Sequence, residues 1–278
     1  GGPLNLNYIP NVGGYYLDLS SPYFNAGEFA SQSEMGAQGD GASQGDMGSR
    51  PNVRPRLNLA DQDALNSNTV VTNIRQSIRA QVAACPERPF STQWYTAHAN
   101  VEPVKLSSGN PWQRTEWATA GQLLGISAAP NRYDFRPDKM GLIYVYRNDS
   151  RQQRAVDVRG RAIELAQSAD SLPNDKPAVS LGIFAAVPPV DEPVKTLLQI
   201  AISDSAAVMG YEYDFTTDSM RPLRGAVDPQ SQRVAWQVGD DVFETGLKNL
   251  TEDVTRSLLF RADGWTQPWI LMRIQEEG

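Results

Sequence analysis

Histidine and cysteine are almost missing from this chain: 278 residues hold one of each, His98 and Cys85. A lone cysteine excludes an internal disulfide and reads as a small buried side chain, with a bridge to another subunit or a reactive thiol as the alternatives. The lone histidine stands in Tyr95-Thr96-Ala97-His98 with no serine, cysteine or metal-ligating neighbour in sequence. It reads as a structural histidine hydrogen-bonded within an aromatic stretch; spacing alone leaves open a partner that folding brings near. No apolar run approaches the roughly 20 residues that cross a bilayer as a helix, so no transmembrane segment is expected. No cationic, apolar leader opens the chain, and Gly1-Gly2-Pro3 in place of Met is read as the start of a processed product. Bases are outnumbered, 25 Lys and Arg against 32 Asp and Glu, for a formal charge of −7. No basic cluster stands out, which argues against a nucleic-acid partner.

What is present is a succession of short apolar runs and turn dipeptides from Pro177 to Ile274, without histidine, cysteine or a glycine-rich phosphate loop. They predict strands over 178–187, 196–203, 207–215, 222–227, 233–238, 242–247, 256–261 and 268–274. Asp228-Pro229-Gln230-Ser231-Gln232 and Ala262-Asp263-Gly264-Trp265 are placed as hairpin connections should be. Strands at this spacing predict an antiparallel meander that closes into a barrel or packs as a sandwich.

Residues 1–66 read as an extended, low-complexity arm. Leu4, Leu6, Tyr8 and Ile9, then Tyr15, Tyr16 and Leu17, form apolar patches broken by Gly13-Gly14 and Pro22. Asn25 to Ser49 is Gly, Ser, Ala, Gln and acid, with Phe29 and two methionines to bury, too little to offset its chain entropy. Such a segment is ordered by another surface, here expected to be a neighbouring copy. Asn5 to Ile9 or Tyr15 to Leu19 would add as a strand to an open sheet edge. Residues 67–175 read as a helix-flanked, aromatic-rich region. Asn68 or Thr69 caps a helix with Val70, Ile74, Ile78 and Val82 on one face, ending before Pro86. Val156 to Ala169 repeats the amphipathic pattern, with Val158, Ala162, Leu165 and Ala166 apolar. Between the helices lie a short strand, Leu142 to Tyr146, and irregular Gly-, Pro- and Trp-rich chain. Residues 176–278 form the antiparallel β domain, so the expected fold is mainly β.

Candidate chemistry is sparse. Asp214, Asp218, Asp228, Asp240, Asp241 and Glu244 border predicted strands, where turn chemistry accounts for them better than an acid–base pair for glycoside hydrolysis. Gly39-Asp40-Gly41 and Gly45-Asp46 resemble calcium-binding turns but lack the spacing of either a nonapeptide repeat or an EF-hand. No cofactor is therefore expected, with calcium as a weak alternative. Trp236 alternates with Val234 and Val238 and reads as core, whereas Trp265 at a hairpin tip reads as an intermolecular contact. Asn148-Asp149-Ser150 and Asn249-Leu250-Thr251 fit the glycosylation pattern.

From about Thr72 onward the landmarks follow one order: Asn73-Ile74-Arg75, Trp94-Tyr95-Thr96-Ala97-His98-Ala99-Asn100, Trp112, Trp117-Ala118-Thr119-Ala120 and Gly141-Leu142-Ile143-Tyr144-Val145-Tyr146. The tail continues with Leu181-Gly182-Ile183-Phe184-Ala185, Gly210-Tyr211-Glu212-Tyr213-Asp214, Gln232 to Gly239 and Phe243 to Thr251. This order resembles a family of secreted planctomycete cell-surface proteins labelled mu-protocadherin-like. The resemblance implies export to the cell surface after removal of a signal, and no catalytic activity. The expectation is a non-enzymatic structural subunit that self-assembles into a filament or surface layer. Its partners are copies of itself, contacted through Leu4, Leu6, Tyr8, Ile9, Tyr15, Tyr16, Leu17 and Trp265. The alternative is a small-molecule or glycan-binding β-barrel of the cell envelope.

Overall fold

In the computed structural model the chain runs β1 (Asn7–Ile9), β2 (Gly14–Tyr16), α1 (Thr69–Ala83), α2 (Thr92–Ala97), α3 (Trp117–Leu123), β3 (Tyr133–Pro137), β4 (Ile143–Arg147), β5 (Ser150–Arg154) and α4 (Ala155–Gln167). Eight strands follow: β6 (Val179–Val187), β7 (Thr196–Ile202), β8 (Ala207–Asp214), β9 (Ser219–Asp228), β10 (Arg233–Val238), β11 (Asp241–Gly246), β12 (Val254–Phe260) and β13 (Thr266–Arg273). The structure describes residues 71–138, 140–169, 177–188 and 194–274, with the backbone alone for 7–9, 14–16, 69–70 and 170–171.

β6 to β13 pair antiparallel, each with the next in sequence, and β13 returns to pair with β6 through Leu271↔Ala186 and Arg273↔Phe184. The fold is thus mainly β with a closed eight-stranded barrel, the first of the two architectures expected. Closure follows from the pattern: β6, β7 and β12 are buried at nearly every position, so both of their faces need cover, and a closed sheet leaves no edge unpaired. The inward set includes Phe184, Leu198, Ile200, Leu223, Val234, Trp236, Phe243, Leu259 and Leu271, all buried. Trp236 and Phe243, registered partners on β10 and β11, stack with centroids 5.5 Å apart. Gly225 lies opposite Trp236, where a Cβ would come within 2.7 Å of the Trp236 Cβ; its missing side chain lets the indole sit there. α3 lays Ala120, Trp117 and Leu123 on this inward cluster, and since the strands wall off the sides, it must cover one open end. Gly125, at φ +66°, ends that helix.

Two outer faces are covered as well. α1 sets Val71, Ile74, Ile78 and Val82, and α2 sets Trp94, against Ile183, Leu197, Tyr213, Ile270 and Met272. The helix begins at Thr69, so Thr69 is not its cap, and Asn68 and the Val70 side chain lie outside the described residues. On the other side α4 packs Ala155, Val158, Ala162 and Ala166 on Ala235, Val242, Leu258 and Phe260. The β3–β4–β5 sheet packs there too, turning at Asn148 and Asp149, both at positive φ, as a two-residue hairpin requires. α2, α3, β3 and β5 are ordered where irregular chain was expected.

Candidate functional site

Among the described residues, two groups of polar side chains outside the barrel stand next to open space or to the lone histidine. The first is built by α2. Ser91 caps this helix by accepting from the Trp94 amide at 3.2 Å, and the helix ends at His98. Trp94 is buried, edge-on to Tyr213 at 5.1 Å, and His98 stacks on it at 3.9 Å. The two imidazole nitrogens meet two acceptors: Nδ1 lies 2.8 Å from the Trp94 carbonyl and Nε2 3.0 Å from Asp218 Oδ1. A neutral imidazole can donate to only one, so the site favours the cation, which the indole face also attracts. Burial pulls the imidazole down, yet the bonds to Asp218 and Trp94, with Glu87 nearby, outweigh it and hold the pKa above 6.5. The Tyr213 hydroxyl also donates to Asp218, at 2.9 Å, and burial with that carboxylate pushes its phenol up to about 12. Cys85 is half-buried close by; burial first and the Asp218 charge second push its thiol above 9.0, which keeps it protonated and a poor nucleophile. This group is a latch between the end of α2 and the β8–β9 turn. Among the described residues no three His, Cys, Asp or Glu side chains are grouped to hold a metal.

The second place is a cleft of about 630 Å³ between α4, β4, β5 and the barrel strands β9 to β11. Its apolar lining comes from Tyr133, Val145, Val158, Ala162 and Leu165; Arg147, Gln152, Gln153, Arg161 and Glu164 stand exposed around it. At its base Arg233 and Glu244, from adjacent strands, form an ion pair with side chains 11% and 2% exposed. Burial lowers the Arg233 guanidinium to about 10. Asp228, also in the lining, accepts from the Gln230 amide at 3.0 Å and from the Ser231 hydroxyl, so it belongs to its own turn. Arg161 spends one N–H on Gln153, at 2.7 Å. A smaller cleft of about 500 Å³ runs along β8 and β9 beside residues 102–105, where the Tyr211 hydroxyl donates to the Glu102 carbonyl at 2.7 Å.

Several expected residues fall elsewhere. Leu4, Leu6, Leu17 and the Gly-Asp turns at 39–41 and 45–46 lie outside the described residues. Tyr8, Ile9, Tyr15 and Tyr16 are seen as backbone: β1 pairs with β2, Tyr8 opposite Tyr15 and Ile9 opposite Gly14. Trp265 does sit at the β12–β13 turn, but it is half-buried, and Arg159 of α4 approaches its carbonyl at 3.4 Å. Turn chemistry does cover Asp214, which accepts from Thr216 and Thr217, but Asp218 and Glu244 are corrections to that reading. Asp218 is bound to a histidine 120 positions away, and Glu244 to Arg233. Asn249 is fully buried, clasping the Tyr133 amide and carbonyl at 2.9 and 2.7 Å, so its glycosylation pattern is closed in the folded protein. The cleft itself had one overlooked signal: seven arginines between Arg132 and Arg161.

Comparison of the chain with protein-family models, with curated proteins and with solved structures finds no match.

Proposed function

We propose that this chain is a non-enzymatic structural subunit of a cell-surface assembly, whose N-terminal arm, residues 1–66, contacts a neighbouring copy. The observation that carries this reading is the filled barrel: Phe184, Trp236, Phe243, Leu198 and Leu271 occupy the space where a carrier would hold its ligand. An interior given to packing supports rigidity, the property a building block needs. The outer faces agree, since α1, α2 and α4 brace the barrel from two sides. The His98 latch serves the same end by tying α2 to the wall. Cell-surface export is carried by the sequence resemblance alone. The rival, a glycan-binding barrel, finds its room in the outer clefts and not inside. Purified full-length protein should form filaments or sheets by electron microscopy, and a variant lacking residues 1–60 should stay folded and monomeric. Assembly that survives the truncation removes the arm from the mechanism; a full-length protein that stays monomeric at every concentration overturns the reading itself.

A further inference from the structure

The charges around the cleft between α4 and the barrel cancel: Arg147, Arg161 and Arg233 stand against Glu164, Asp228 and Glu244. Such a lining favours an ion of neither sign, so the guest that suits it is neutral. It is nonetheless rich in hydrogen-bonding groups of both kinds. Arg161 keeps donors after its bond to the Gln153 oxygen at 2.7 Å, Gln153 keeps its amide N–H groups, and Gln152, which donates to the Ser150 carbonyl at 2.9 Å, keeps its oxygen. Glu164 adds an exposed carboxylate.

Beneath this rim the bed is aliphatic, made of Val145, Val158, Ala162 and Leu165. Tyr133, the one aromatic side chain among the described lining residues, is 4% exposed, so no ring face is presented for a base to stack on. A peptide finds little backbone to pair with, because α4, β4 and the barrel strands spend theirs in the helix and the ladders. One group still calls for a donor. Glu244, 1% exposed and at the base of the cleft, takes Arg233 on Oε1, while its Oε2 is buried with no hydrogen-bond partner among the described residues. A buried carboxylate oxygen without a donor is costly, and a hydroxyl lowered into the cleft is a neutral group that supplies one.

We propose that this cleft binds a neutral carbohydrate: a saturated sugar ring lies with its C–H face on Val158 and Leu165, its hydroxyls meet Arg161, Gln153 and Glu164, and one hydroxyl donates to Glu244 Oε2. A hydroxyl donates once and accepts twice, which suits a rim where donors and acceptors are mixed and no charge is left over. The volume, about 630 Å³, lies within the roughly 300–1,000 Å³ of pockets that enclose small ligands. The cleft is on the outer wall, so a subunit packed solid inside still holds the sugar, and the site is complete within one copy of the chain.

Saturation-transfer difference NMR of the full chain with glucose, galactose, mannose, rhamnose and N-acetylglucosamine tests the assignment. At least one of these sugars should receive saturation from the protein, most strongly at its ring C–H protons. Gln153→Ala with Arg161→Ala, both at exposed positions and checked for an intact fold by circular dichroism, should weaken that sugar about tenfold or more. Glucuronate, the charged counterpart, should bind no more tightly than glucose. Silence from all five neutral sugars overturns the proposal, and so does glucuronate binding about tenfold more tightly than glucose, which would make the cleft an anion site. Unchanged sugar affinity in the double variant places the sugar elsewhere on the molecule and overturns the site as well. Because binding is read on single chains, a protein that binds sugar but never assembles loses the self-assembly reading and keeps this one.

Discussion

His98 makes its two hydrogen bonds only as a cation, and that ties the latch to pH. Asp218 is held below 3.8 by the bonds from His98 and Tyr213, so its contribution is present above that value and fades as pH falls through the lowered pKa. His98 is held above 6.5, so its contribution is complete below that value and is lost as pH rises through the raised one. The pair therefore stabilises most between about pH 4 and pH 6.5. Tyr213, pushed up to about 12, keeps its proton throughout, as does Cys85, whose thiol burial and Asp218 raise. Because the Asp218 side chain is 69% exposed, the effect is small, no more than about 1 kcal/mol. Asp218→Asn should lower the urea midpoint at pH 5.5 and lower it less at pH 8.5. An equal loss at both pH values would mean that the imidazole does not change its charge between them.

At the scale of elements, alanine decides how α4 sits. Its buried positions, Ala155, Val158, Ala162 and Ala166, fall three or four apart, and three of them end at Cβ, which lets the helix axis approach Ala235 and Val242. Ala166→Leu would force the helix off the barrel and should cost about 1–3 kcal/mol in urea unfolding, whereas Gln167→Leu, on the exposed side, should stay within about 0.5 kcal/mol. Equal costs would mean that α4 does not pack tightly. This element, α1 and all eight barrel strands were legible because each buries a periodic stripe or an apolar run long enough to show. α2 and α3 were not, being six and seven residues long with no full period to read. β5, Ser-Arg-Gln-Gln-Arg, is exposed at every position, so it carries no alternation; its pairing with β4 and the packing of Arg151 over the Tyr144 ring, at 3.3 Å, hold it in the sheet. The sites were hidden for another reason. His98 and Asp218, or Arg161 and Arg233, lie on elements that meet only when the helices dock on the barrel, and beyond the run of arginines nothing along the chain records that meeting.

The barrel, taken whole, is a closed wall around a packed interior that holds Trp236. Its indole is fully buried, stacked on Phe243, and its N–H has no acceptor among the described residues, so its worth to the fold is almost wholly packing. Trp236→Ala should cost about 3–5 kcal/mol, the lost transfer energy of the ring plus the hole left behind. A continuous hydrogen-bonded ring of strands cannot collapse far into that hole. Lined by Leu198, Leu223, Val234 and Phe243, it should remain open, stay dry and accept an apolar guest of the ring's own size. Indole added to the Trp236→Ala protein should therefore raise its melting temperature in proportion to the logarithm of indole concentration, while the wild-type protein should not respond. If wild type is stabilised by indole to the same extent, the barrel already has a chamber, and the chain is a carrier instead of a building block. If neither protein responds although the substitution destabilises by the full amount, the wall has closed over the hole and is softer than an unbroken ladder of eight strands implies.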